Sequence, residues 1–422
     1  MQRADRVAEA RPPIVPAPRN PGGAKAQDAR AGERADSRIA VCASLESAEA
    51  LRPQWEALLE EYPHTTPFAT WEWLASWWRA YAGNDRLLVL AWRNGSAALT
   101  GLAPLALSTQ RVCGAPLRSL RLMGDGSHDS DNLDLPVRPG CEGEFSRALL
   151  DWLEGHAQEW DICQLQTLPA HSPVGNRLLE ELKLRGWKAH TSQRPQTVVE
   201  LPGSWETYLK GLSSKERGKI GLRTRRLEKK YPVRIRKVAE EAELAPALAA
   251  LFDLHTKHWR LRGLPGSFQS PARRQFYRDL APLLLARQRL EFWLLELDGR
   301  IAAAQFALRH GDAVYSLQEG FEPEYSSDSV GYVLRGRVLQ DLIDRGTRKY
   351  DFLGGVGESK LRWGARVQSY LSVEFARPRC VGNVLLSLKQ KAAGTKAWLR
   401  ARLPDPVLRS FSRSGGQPRD DD

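Results

Sequence analysis

The sequence predicts an α+β protein made of two similar halves, each a mixed sheet flanked by helices. Three observations carry this. The 422 residues exceed what one core usually fills, roughly 250–300 residues. Helices, a meander of strands, then helix, strand, helix and strand follow one another in the first half. A closely similar order recurs after residue 237, although the residues of the two stretches do not align visibly. With 42% apolar residue types and 14 Trp to keep from water, disorder over most of the length is excluded.

In the first half, Leu51, Trp55, Leu58 and Leu59 repeat at helical spacing and predict a helix over 44–61, with Ser44 and Ser47 as caps. Thr70 is placed to cap a second helix opening on the Trp-dense run 71–78. Residues 86–92 and 97–107 read as strands around an Asn94-Gly95 hairpin, followed by strands over 117–123 and 132–137. A helix over 144–156, a strand over 160–165, a helix over 175–185 ending at Gly186 and a strand over 197–200 complete that half.

In the second half, helices are expected over 242–261 and 271–287, then strands over 290–297, 301–308 and 313–319. A helix over 330–345, a strand over 349–353, the glycine-rich run 354–357 and a strand over 369–375 follow. The expected organisation is a disordered tail (1–38), a first domain (39–203), a basic helical segment (204–237), a second domain (238–377), and an amphipathic helix with a disordered end (378–422). No window has the roughly 18 apolar residues of a spanning helix. The opening residues carry charges and prolines where a secretory leader needs an apolar run, so the cytoplasm is expected.

Five widely spaced Cys with no CxxC pair give no support to a zinc site or a disulfide framework. His255 and His258 lack a third ligand, and no metal is assigned. Net charge is +12, and residues 210–237 alone hold 12 basic and 2 acidic residues. On a helical wheel Trp205, Leu209, Leu212, Ile220, Leu227 and Tyr231 share a stripe that leaves Arg217, Arg223, Arg225 and Arg226 mostly off it. That basic face is either a solvated helix or a surface for a phosphate-bearing partner. Neither a DNA-reading nor an RNA-reading motif accompanies it, and no DNA is expected. After residue 377, Val381, Val384, Leu385 and Leu388 share a face with lysines elsewhere, which suits docking on the protein itself or contact with an anionic membrane at its inner face.

The helix expected from Val330 follows Ser326, Ser327, Asp328 and Ser329. It is either an ordinary capped helix burying Leu334, Val338, Leu342 and Ile343, or an anion site in which backbone amides and Gly331 meet a phosphate. Asp351 is either a strand-end carboxylate paired with an arginine or a base, and Glu319 either a solvated edge residue or a base.

Three stretches, 205–217 (WETYLKGLSSKER), 328–334 (DSVGYVL) and 349–363 (KYDFLGGVGESKLRW), resemble the two-domain, Fem-like branch of the GNAT acyltransferases. The CelD-type acetyltransferase proteins of cellulose and exopolysaccharide biosynthesis are the nearest likeness. The glycine-rich signature is reduced here to Ser329-x-Gly331, and Ser359 stands where the family usually has Tyr. The resemblance implies tandem GNAT-like domains and acyl transfer from acyl-CoA, a cosubstrate rather than a resident cofactor, to an amine or hydroxyl of a sugar-containing envelope precursor. Aminoacyl transfer from tRNA and a non-catalytic scaffold in polysaccharide biosynthesis are the alternatives. Ser329, Val330, Gly331 and Tyr332 then hold the donor, and Lys360 clamps it or stabilises the oxyanion. Glu319, Asp351 and Glu358 are the candidate bases, and Tyr315 and Tyr325 the candidate acids. Arg217, Arg223, Trp73, His128 and Asp131 are the candidate substrate contacts.

Overall fold

A computed structural model of the chain describes residues 37–402 other than Ser96, Cys113 and His128; the expected tails lie almost wholly outside the described residues. In chain order the strands are β1 (Ser37–Cys42), β2 (Arg86–Asn94), β3 (Gly101–Val112), β4 (Ala115–Leu122), β5 (Ile162–Pro169), β6 (Lys188–Glu200), β7 (Val233–Lys237), β8 (Leu290–Leu297), β9 (Arg300–His310), β10 (Ala313–Phe321), β11 (Lys349–Gly354) and β12 (Arg366–Ala376). The helices are α1 (Leu45–Glu49), α2 (Arg52–Glu61), α3 (Trp71–Tyr81), α4 (Glu142–Gly155), α5 (Pro173–Leu184), α6 (Trp205–Gly211), α7 (Ser214–Lys230), α8 (Glu241–Leu261), α9 (Pro271–Ala286), α10 (Val330–Asp344), α11 (Glu358–Leu361) and α12 (Val381–Arg402).

All twelve strands join one sheet in the order β1-β2-β3-β4-β5-β12-β6-β11-β10-β9-β8-β7. β1 to β4 form an antiparallel meander, and β5 adds to β4 in parallel. β7 to β10 repeat the meander, and β11 adds to β10 in parallel. The sixth strand of each half is exchanged. β12 pairs with β5, β6 pairs with β11, and β6 and β12 pair with each other.

Local chemistry explains most boundaries. Ser172, Ser204, Ser213 and Ser270 start α5, α6, α7 and α9, each accepting an amide of the first turn. Pro173 and Pro271 stand in the first turn, where the missing N–H costs nothing. Several expectations change. The helix over 44–61 is two helices broken at Leu51, ahead of Pro53. Thr70 does not cap α3, because its hydroxyl donates to the Pro67 carbonyl at 2.6 Å. Residues 132–137 hold no ladder, only a bridge from Val137 to Gly101. The strand expected over 197–200 reaches back to Lys188. Residues 233–237 of the basic segment are an edge strand, not helix, and the charges of Arg236 and Lys237 are met by Glu296 and Glu291 on β8.

Two cores line the sheet. One runs through both halves and includes Trp55, Phe68, Trp73, Phe276, Tyr277 and Phe306. The other lies beneath α6, α7 and α10 and includes Tyr208, Ile220, Leu334, Tyr350 and Trp363. Leu386 of α12 packs with Ile162 and Ala376, while Val381, Val384 and Leu388 stay exposed. Docking on the protein's own sheet is therefore the work of one helix face, and an apolar stripe remains outside.

A loop of the first half is fastened to the second residue by residue. The Asp129 carboxylate, fully buried, accepts from Arg273 Nε at 2.9 Å, Tyr81 at 2.8 Å and Tyr277 at 3.1 Å. Ser130 Oγ accepts from Trp73 Nε1 at 2.9 Å, and Asp131 Oδ2 from the Gly354 amide at 3.0 Å. Removing one partner of a buried ion pair strands the other's charge. Asp129→Ala is expected to cost about 3–5 kcal/mol in urea unfolding. Because β5 needs β12 and β6 needs both β11 and β12, residues 37–203 expressed alone are expected to show no cooperative melt by circular dichroism. Mixing them with residues 204–402 is expected to restore one.

Candidate active site

The parallel pairing of β10 with β11 spans three residues, Ala313–Tyr315 against Lys349–Asp351, and then stops although both strands continue. A register shift between Ser316 and Gln318 bends β10 at this point. Beyond β10 the turn Pro323–Asp328 leads to Ser329, held left-handed at φ 58° without the freedom of glycine, and then to α10. No side chain caps α10, in contrast to the serine-capped helices above. Its first turn opens on a cavity of about 240 Å³ whose wall includes Ser329, Val330, Gly331 and Tyr332.

Cations surround this cavity. Arg223 of α7 stacks 4.4 Å over the Tyr332 ring, and Arg262, Arg335 and Arg362 also line it. Asp328, placed to repel an anion, is engaged by Lys230 at 2.9 Å and Tyr231 at 3.1 Å. Glu319 is the lining carboxylate, with 50% of its side-chain surface open and an ion pair to Arg335. Burial pushes its carboxyl up, but the charge and hydrogen bond of Arg335, with the lesser pull of His258 and Lys360, together hold it below its ordinary value. Uncapped amides, a positive helix end and four guanidinium groups together give this cavity a field that favours an anion.

The end of β11 joins this cavity to a second cluster. Lys360 Nζ donates to the carbonyls of Phe352 at 3.2 Å and Gly354 at 2.6 Å, while its neighbours Ser359 and Arg362 line the cavity. Tyr350 and Phe352 point into the core beneath α10, so Asp351 between them points to the opposite face. Asp351 is buried, and its Oδ1 accepts the Leu353 amide at 2.7 Å. Burial, and then the nearby Asp131, push its carboxyl up to about 7 against the lowering pull of that amide and of Lys360. Tyr315 stands opposite Asp351 in the parallel register, and burial followed by the Asp351 charge raises its phenol above the ordinary range.

The expected donor residues Ser329, Val330, Gly331 and Tyr332 thus share one cavity with Arg223 and Glu319, and Lys360 lies at its edge. Asp351, Tyr315 and Asp131 gather on the other face of the sheet. Trp73 is not in either site wall; it is buried in the core, edge-on to Phe68 and Phe276. Arg217 is exposed and reaches the Leu209 carbonyl at 3.5 Å, outside the cavity lining. Glu358 is exposed, and Tyr325 packs edge-on against Tyr231. His128 lies outside the described residues. Arg262, Arg335, Arg362 and Tyr370 were not singled out from sequence. Arg335 shares the helical stripe of Gly331, four residues on, and that spacing was the available signal.

The equivalent helix of the first half, α4, begins with Glu142 and Glu144, which repel an anion from its N-terminus. Among the described residues no three His, Cys, Asp or Glu side chains gather to hold a metal ion, and no helix is long and apolar enough to cross a membrane.

Residues 214–361, from the start of α7 to the end of α11, match the family model described as acetyltransferase (GNAT) domain. Curated protein sequences give no match. Among solved structures, FemX superposes with a TM-score of 0.58 at 12% identity, covering 80% of this chain and 98% of that one. The C-terminal domain of a putative lysylphosphatidylglycerol synthetase from Agrobacterium fabrum gives 0.49 at 11% identity, covering 82% and 96%. A tandem GNAT protein from the clavulanic acid biosynthesis pathway gives 0.45 at 14% identity, covering 81% and 98%. At such identities the likeness is one of fold. The domain match, with the strand layout repeated in both halves, makes this an α+β protein whose second half carries a GNAT acetyltransferase domain, and so an acyltransferase.

Proposed function

We propose that the chain moves an acetyl-sized acyl group from acyl-CoA to an amine or hydroxyl of a sugar-containing acceptor. The observation that carries the donor assignment is the uncapped start of α10, open on a cavity ringed by Arg223, Arg262, Arg335 and Arg362. A pyrophosphate suits that field, and in this reading the acyl arm passes the point where the β10–β11 pairing ends on its way toward Asp351. The sugar-containing acceptor rests on the CelD-type resemblance of the motifs. Peripheral contact with an anionic membrane is supported by the exposed Val381, Val384 and Leu388 beside Lys391.

In this reading the acceptor's nitrogen or oxygen attacks the thioester carbon while Asp351 takes its proton. The ammonium of Lys360, fixed by two carbonyls, stabilises the charge that develops on the carbonyl oxygen. The C–S bond then breaks, and the proton that Asp351 took from the acceptor passes to the thiolate, while Tyr315, raised above the ordinary phenol range, stays protonated beside it. Asp351 is better matched than Glu319 to act as the base near neutrality, because Arg335 keeps Glu319 weakly basic.

Ligand binding to the folded state raises the melting temperature. CoA and acetyl-CoA are expected to do so for the full chain. Arg223→Ala is expected to raise the Kd for CoA about tenfold, about 1.4 kcal/mol, and Gly331→Glu to abolish binding by placing a carboxylate at the helix start. If CoA leaves the melting temperature unmoved while an aminoacyl-tRNA binds with steep salt dependence, the donor is the tRNA. If neither binds, the transfer reading itself falls.

A further inference from the structure

A buried carboxylate, Asp351, and a half-buried one, Asp131, meet from different halves of the chain at the end of β11, and the mechanism above uses only the first. Asp351 Oδ1 accepts the Leu353 amide at 2.7 Å, and Asp131 Oδ2 accepts the next amide, that of Gly354, at 3.0 Å. Successive amides of one strand end bring the two acid groups close together. Asn132, next in the loop, places Nδ2 3.5 Å from both Asp351 Oδ2 and Gln196 Oε1. Such an amide group only donates, so it favours an ionised oxygen on Asp351. The buried Tyr370 hydroxyl of β12 lies beside the Asp131 carboxylate, short of a hydrogen bond of good geometry. The other charged or titratable groups that bear on the pair are Lys360 of α11, Arg194 of β6 and Tyr315 of β10.

Like charges brought together out of water do not ionise independently. We propose that Asp131 and Asp351 form a carboxylate pair that gains and loses its protons as one unit, with Asp131 a positioning residue that maintains Asp351 as the base. The proposal rests on the acyl-transfer reading for its purpose but not for its geometry. The fully ionised pair accepts the acceptor's proton and passes to a state in which one proton serves both carboxylates. Its strength as a base is that of the upper step of the pair, and that step exists only while Asp131 carries its charge. Each half of the chain thus supplies one member of the unit.

Side-chain 13C-carboxyl labelling of Asp in the full-length protein tests this by NMR across pH, with the Asp351 signal assigned by its loss in Asp351→Asn. In the native chain that signal is expected to move in two steps, the later one near neutrality. In Asp131→Asn, whose side-chain oxygen still accepts from Gly354, a single step is expected about one pH unit or more lower, because the like charge has gone. The reciprocal variant, Asp351→Asn, is expected to leave Asp131 with one lowered step, and it carries the test alone if Asp131→Asn does not fold. An unchanged titration of the remaining carboxyl in either folded variant overturns the pair. Thermal shift with CoA separates the two readings. Coupled carboxyls without CoA binding remove the donor assignment and keep the pair, whereas CoA binding with independent carboxyls does the reverse.

Discussion

The ladder between β6 and β12, eleven residue pairs from Arg366–Val198 to Ala376–Lys188, is the constraint on which the rest of the architecture depends. It joins the two halves inside one sheet and leaves neither half a complete set of strands of its own. Because β12 stands beside β5 and β6 beside β11, the first half's loop at 129–134 lies against the end of the second half's β11. The contacts of that loop are buried and charged, and such groups persist only where their partners are fixed. Backbone pairing supplies the fixing, and Asp129, Ser130, Asp131 and Asn132 use it in turn.

The same backbone logic separates the two helix starts that the repeated strand layout places at equivalent positions. α4 opens with Glu142 and Glu144, which suit the positive end of a helix and settle it without a ligand. α10 opens with a left-handed Ser329 and no cap, and the cations around it make the region still more positive. Amides left unpaired beside clustered guanidinium groups are stabilised by an anion, which neither solvent nor Glu319 alone replaces in full. The two helix starts thus carry opposite fields, and only that of α10 favours an anion.

What could be read from sequence follows the range of the interactions. Strand β8 was placed from Leu290 to Leu297 by an apolar run, and α10 by a period of 3.6, because both signals are local. β6 was seen only at its end, since the stretch from Lys188 to Pro195 is polar and largely exposed, held by ladder bonds rather than side-chain burial. β7 was hidden for a different reason: Arg234, Arg236 and Lys237 read as a charged helix face until Glu296 and Glu291 of β8 are brought beside them. Residues 132–137 mimic a strand, alternating Leu133, Leu135 and Val137 with Asn132, Asp134 and Pro136, but both sets are buried and hardly any backbone pairing exists. The helix start at Val330 was legible because a helix start has a local signature. The contact of Asp131 with β11 was not, because 223 positions separate Asp131 from Gly354.

Under the proposed reading, Glu319 and Asp351 illustrate why a donor cavity and a base do well on opposite faces of a sheet. A pyrophosphate needs a positive field, and the same field draws protons from any carboxylate within it, as Arg335 does to Glu319. A base of useful strength near neutrality needs the reverse: little water, few cations and a like charge nearby. Asp351 has these on the face away from α10, with Asp131 as the like charge and Lys360 as the moderating cation. Pleating alone accomplishes the separation, since Phe352 turns toward one core and Asp351 toward the other. The short parallel pairing of β10 and β11 is then more than an irregularity. It is where two incompatible electrostatic environments come within reach of one another without merging.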